Sequence, residues 1–120
     1  MVDTMYKEQI MELYSQKQNF GELKNKTHSV KHNNKPSCTD EINLDLKIKN
    51  GKITDAKFSG KTCFISTVSA SVLTENIKGL TLEKARKLTK KDIDKFLGIN
   101  IIPIRIKCEL LALEALQKIK

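Results

Sequence analysis

The chain has 120 residues, 39% of them apolar and 30% charged, which fits one compact domain spanning residues 1–120 and a globular rather than a disordered chain. Lys and Arg outnumber Asp and Glu by 22 to 14, a net charge of +8. The lysines are nevertheless spread along the whole chain, with no basic block and no interleaved aromatic rings, so nucleic acid is not an expected partner.

There is no tryptophan, so the core has to be aliphatic. The opening stretch "MVDTMYKEQIMELY" is amphipathic and carries acids; it lacks the apolar segment and small-residue cleavage site of a secretion signal. No run approaches transmembrane length. A cytoplasmic protein with no membrane partner is expected.

In chain order, the first predicted element is a helix from Asp3 to about Lys17, with Tyr6, Ile10, Leu13 and Tyr14 on one face and Asp3 or Thr4 as cap. "NFGELKNKTHSVKHNNKPS" breaks that pattern with Asn, Gly and Pro, and within it "THSVKHN" reads as a short edge strand. Ile42, Leu44, Leu46 and Ile48 then alternate with Asn43, Asp45 and Lys47, as in a half-buried strand. Asn50-Gly51 is a strong hairpin turn, and Ile53, Ala56 and Phe58 continue in a return strand up to Gly60.

From Cys63 the period becomes helical, with Ile65, Val68, Val72, Leu73 and Ile77 on the apolar side and Gly79 as terminator. Ser66, Ser69, Ala70 and Ser71 are small enough to let this helix lie close to a sheet. Thr81 can cap a short helix over "LEKARKL". Thr89 and Asp92 have the spacing of a capping box before "KDIDKFLG". Pro103 breaks "INIIPIRIK", and Cys108 to Ile119 reads as the last helix. The expected fold is α+β: a small three-stranded antiparallel sheet covered by helices on one side.

The chemistry concentrates at Cys38, Cys63 and Cys108. An odd number of widely spaced cysteines without a secretion signal argues against a disulfide framework. Each falls at a junction between elements, whereas a packing cysteine belongs mid-element on an apolar face. The hairpin brings the start of its first strand and the end of its second to one edge, which places Cys38 near Cys63; Cys108 shares only the junction position. A thiol at a helix N-terminus faces the positive end of the helix dipole, which favours negative charge on sulfur. Cys38 and Asp40 stand at i, i+2, so in an extended chain they point the same way. Three thiolates and a carboxylate suit Zn²⁺ or an iron–sulfur cluster. From spacing alone, buried packing of three free cysteines stays open beside ligation. His28 and His32 would lie about 13 Å apart in an extended strand, too far for one ion, and read as solvated.

The stretches "PSCTDEINLDLKIKNGKITDAKFSGKTCFISTVSASVLTENIKGLTLEKA" and "IPIRIKCELLALEAL" resemble the IscU/SufU family and the N-terminal domain of NifU, scaffolds on which iron–sulfur clusters are assembled. The likeness runs from "LYSQKQNFGEL" to the last helix and rests on the C-x-D motif, the cysteine after the hairpin, the "SAS" helix and the final "KC". It implies that Cys38, Asp40, Cys63 and Cys108 are the ligands of a [2Fe–2S] cluster, with Zn²⁺ as alternative occupant. It further implies that a cysteine desulfurase delivers persulfide sulfur, with Cys108 the candidate acceptor, and that the cluster passes to acceptor apo-proteins. On this reading the chain is a carrier rather than an enzyme, a monomer or a cluster-linked dimer; the alternative is a SufU-type zinc-dependent sulfur acceptor.

The chain departs from the family in places. Lys107 stands where IscU proteins have a histidine. "FIS" after Cys63 and "RIKC" look more like SufU, yet the chain is too short between Cys63 and Cys108 for the SufU insertion. "IIPIR" takes the place of the chaperone-binding "LPPVK" segment, keeping only Pro103 and, at Arg105, the charge, so a chaperone stays a possible but doubtful partner, and Thr39 replaces the usual glycine. Four negative charges at the site would exceed those of one Zn²⁺, and the Lys107 ammonium would help offset the excess. Tyr6 matches the family's N-terminal tyrosine region and reads as a packing or surface residue.

Overall fold

The fold is taken from a computed structural model that describes residues 8, 11–33, 40–98, 101 and 103–119. Residues 8 and 11–16 are helical; Tyr6, Ile10 and the proposed caps of this helix lie outside the described residues. Three strands follow: β1 (His28–Asn33), β2 (Glu41–Lys49) and β3 (Lys52–Lys61). They form one antiparallel sheet in the order β1-β2-β3. The helices are α1 (Phe64–Ile77), α2 (Leu82–Arg86), α3 (Lys90–Leu97) and α4 (Ile106–Gln117), with a 3₁₀ turn, Pro103–Arg105, before α4.

The β2–β3 hairpin turns at Asn50 and Gly51, whose φ values of 54° and 77° are the left-handed pair a two-residue hairpin of native twist requires. The alternation in β2 has its expected consequence: Ile42, Leu44 and Leu46 are fully buried, opposite Ala56 and Phe58 of β3. The exposed edge of β3 is closed by short chain segments. Gly21 N–H donates to the Phe58 carbonyl at 2.7 Å, and Phe58 N–H to Asn19 at 2.9 Å. Further along, Ile53 N–H donates to Leu80 at 2.8 Å. An edge paired in this way no longer offers a template for association.

Helix α1 differs from the one-faced helix its periodicity suggests. Every residue from Ile65 to Thr74 is buried, and so is Ile77. It packs against β3 on one side and against α3 and α4 on others. Its serines and Ala70 therefore serve close contact on several faces rather than one. Helix α4 starts at Ile106 rather than Cys108, which puts Cys108 in its first turn. The Thr89–Asp92 spacing works as read: the Asp92 carboxylate accepts the Thr89 N–H at 2.8 Å ahead of α3.

Candidate metal centre at the end of the sheet

Strand pairing builds most of the site. Glu41 pairs with Lys61 as the last rung of β2 and β3, so Asp40, just before β2, and Cys63, just after β3, meet beyond that rung. The Asp40 carboxylate accepts the Cys63 N–H at 3.0 Å. Cys63 is also the N-cap of α1: its sulfur accepts the Ser66 N–H at 3.4 Å, which satisfies one of the donors a helix start leaves unpaired. Helix α4, packed on α1, brings Cys108 to the same place. The donor atoms of Asp40, Cys63 and Cys108 all lie within 4.8 Å of one another.

Asp40 and Cys108 are buried, while Cys63 is half-buried. Neither Cys63 nor Cys108 is in a disulfide. Cys38 lies outside the described residues, as does Thr39. Lys107, Arg105 and Lys61 are exposed. The aromatic ring of Phe64, next to Cys63, stacks on Tyr14 with centroids 4.6 Å apart, so the N-terminal helical residues are fastened to the helix start that carries the site.

Two sulfurs and one carboxylate fit a tetrahedral zinc site. Donors around such an ion sit roughly 3.8 Å apart, so this set has to close by about 1 Å at most. The same donors suit iron in a cluster, where thiolate is the usual ligand and an oxygen donor is a weaker hold.

Three features escaped the sequence reading. Ser66 reads as a small packing residue, but its hydroxyl lies 2.5 Å from Asp40 Oδ2 and 3.2 Å from the Cys108 carbonyl oxygen; the spacing Cys63-x-x-Ser66, that of an N-cap and its N3 residue, was the available signal. Glu109, directly after Cys108, is buried and faces Asp94 and Lys90 of α3; burial and then the neighbouring Asp94 push its carboxyl up to about 8. His32 is not solvated as expected: its Nε2 lies 3.1 Å from Glu114 Oε1, and its side chain is only 10% exposed. Packing of α4 on β1 covers it. His28 Nδ1 pairs with the Thr27 hydroxyl at 2.8 Å.

Residues 5–119 match the family described as NifU-like N terminal domain. The chain belongs to that family. It is 37% identical to the zinc-dependent sulfurtransferase SufU of Bacillus subtilis over 134 aligned positions, covering 98% of this chain and 90% of the relative. An alignment longer than this 120-residue chain means that the relative carries residues absent here, in keeping with a missing insertion. The iron–sulfur cluster assembly enzyme IscU of Drosophila melanogaster is 35% identical over 116 positions, covering 94% of this chain and 74% of the relative. Among solved structures, the assembly scaffold protein for the SUF system from Fervidobacterium islandicum superposes with a TM-score of 0.76 at 29% identity, covering 92% of each chain. The expected α+β architecture, a three-stranded antiparallel sheet with helices, is the observed one. Among the described residues, no helix is long and apolar enough to cross a membrane.

Proposed function

We propose that this chain is a scaffold on which a [2Fe–2S] cluster is assembled and from which it is passed to acceptor proteins, with Cys38, Asp40, Cys63 and Cys108 as its ligands. One observation carries the reading: a carboxylate and two thiols from three separate stretches of the chain converge within 4.8 Å, and Cys38 stands two positions before that carboxylate in the sequence. Membership of a family whose relatives are named for cluster assembly supports it.

Sulfur arrives as a persulfide on a cysteine desulfurase. The Cys108 thiolate attacks the outer sulfur; a new S–S bond forms, the old one breaks, and the desulfurase thiolate leaves. Each transferred sulfur then takes up two electrons from an external donor to become sulfide. Asp40 contributes an oxygen ligand that exchanges more readily than a fourth thiolate, which suits a cargo that has to leave. Replacing Asp40 with Ala is expected to lengthen the life of a reconstituted cluster; faster loss would contradict this role.

A second reading is a zinc-dependent sulfur acceptor, in which the same residues hold Zn²⁺ and one thiolate leaves the metal to take up sulfur. The compact donor set, which suits a single ion, and the likeness to SufU favour it. Metal and acid-labile sulfide content after purification without air separates the two. Iron and sulfide in similar amounts support the scaffold. One zinc per chain without sulfide, together with persulfide on Cys108 after incubation with a desulfurase, supports sulfur transfer.

A further inference from the structure

We infer that Ser66 is a positioning residue for Asp40: its hydroxyl sets the carboxylate in place as a ligand relative to both cysteines. This rests on the assignment of Asp40, Cys63 and Cys108 to the binding site. Ser66 is 1% exposed, and its hydroxyl touches all three residues. It lies 2.5 Å from Asp40 Oδ2, 3.4 Å from Cys63 Sγ and 3.2 Å from the Cys108 carbonyl oxygen.

A serine hydroxyl has one proton to donate. The short contact to a carboxylate oxygen is the stronger of its two acceptor options, because hydrogen bonds to an ionised acceptor are shorter and stronger than those to a neutral carbonyl. Asp40 Oδ2 thus receives two donors from one helix start, the Ser66 hydroxyl and the Cys63 N–H. Both belong to the first turn of α1, which also carries Cys63. The carboxylate is therefore indexed to the same rigid element as the thiol it works beside, even though it stands on a different segment. Outer partners of this kind orient a carboxylate ligand, and losing one costs typically about 10- to 100-fold in metal affinity.

The test is a double-mutant cycle on the full chain, read by Co²⁺ titration of metal-free protein under anaerobic conditions, with the cobalt absorption bands as signal. Ser66→Ala should weaken Co²⁺ binding about 10- to 100-fold and shift the ligand-field bands while thiolate-to-cobalt charge transfer persists. Asp40→Ala should weaken binding, and adding Ser66→Ala to it should cost nothing more, because Ser66 acts through Asp40. Thr67→Ala, whose hydroxyl pairs with Thr62 at 2.7 Å, controls for general loosening of the helix start and should leave the titration unchanged. An equal loss from Ser66→Ala with and without Asp40, or no loss at all, overturns the inference and leaves the functional reading standing. If Asp40→Ala binds Co²⁺ as tightly as the parent chain, or the parent chain binds none, the site assignment falls and this inference with it.

Discussion

The rings of Tyr14 and Phe64 lie 4.6 Å apart and 23° from parallel, and the Lys17 ammonium sits 4.9 Å from the Tyr14 centroid. Phe64 is the first residue of α1, and its neighbour Cys63 is the cap. The stack therefore joins the N-terminal helical residues to the cysteine that is half-buried. Replacing Tyr14 with Ala removes both the aromatic pair, about 0.5–1.5 kcal/mol beyond its area, and the seat for Lys17. Faster hydrogen exchange over residues 11–16 and faster alkylation of Cys63 are expected, with exchange in β2 unchanged. An unaltered Cys63 alkylation rate would mean that the N-terminal residues do not guard the thiol.

Asp45 lies on the sheet face turned away from the helices, yet it is fully buried. Its carboxylate accepts the Ser29 hydroxyl at 2.6 Å, the Leu23 N–H at 3.1 Å and the Asn43 amide at 3.2 Å, with Lys26 Nζ 3.7 Å away. This carboxylate holds the segment after Gly21 over the sheet. Asp45→Ala strands a backbone donor and two side-chain donors, at about 3 kcal/mol. Asp45→Asn, which keeps an acceptor oxygen, should lose less. Urea unfolding of the two variants measures the difference; equal losses would show that charge rather than hydrogen bonding fixes the loop.

Asp45 also marks where the sequence stops being readable. The period-2 pattern assigns it to the open side of β2, and the side is right; what covers that side is a loop with no periodicity of its own. The same limit explains α1 and His32, whose burial depends on helices that arrive from far along the chain. By contrast, the β2–β3 hairpin was legible because Asn50-Gly51 and the alternating residues act locally. The meeting of Asp40 with Cys63 follows from that hairpin. The arrival of Cys108 depends on helix packing, and only its junction position and the family resemblance pointed to it. Ser66 was hidden because a serine in an "SAS" helix reads as a size requirement, while its hydroxyl bond is a property of the assembled site.

Gly60 makes the end of the hairpin possible. Its φ is +111°, and a Cβ there would stand 2.4 Å from the Glu41 carbonyl oxygen. The obstacle is backbone, which cannot swing aside as a long side chain would. Gly60→Ala should cost roughly 1–3 kcal/mol and displace the strand start that carries Asp40, so thermal stability and metal affinity should fall together. A stability loss with intact metal affinity would show that the strain relaxes along β3 without reaching Asp40.

The buried Glu109 and the half-buried Asp94 beside it predict how stability depends on pH. Lys90 Nζ lies 2.8 Å from Asp94 and 3.7 Å from Glu109. Burial, then Asp94, raise the Glu109 carboxyl from 4.5 to about 8. Burial would raise Asp94 too, but the neighbouring Glu109 carboxyl and the Lys90 ammonium outweigh this and lower it below 3.8. One carboxyl thus keeps its proton and the other stays charged. Between about 4.5 and about 8 the folded chain holds a Glu109 proton that the unfolded chain has released. Stability is therefore greatest at the acid end of that window and declines as pH rises through it, by up to about 1.4 kcal/mol per pH unit for one proton. Asp94 acts in the opposite sense, its contribution being lost only as pH falls below the ordinary carboxylate range. Glu109→Gln removes the proton-dependent partner while keeping its shape and a donor for Asp94. Urea melts of metal-free protein from pH 5 to pH 9 should show the decline in the parent chain and a flatter profile in the variant, which becomes the more stable of the two at pH 9. Parallel profiles would mean that Glu109 ionises in the fold without cost, with Lys90 following it rather than Asp94.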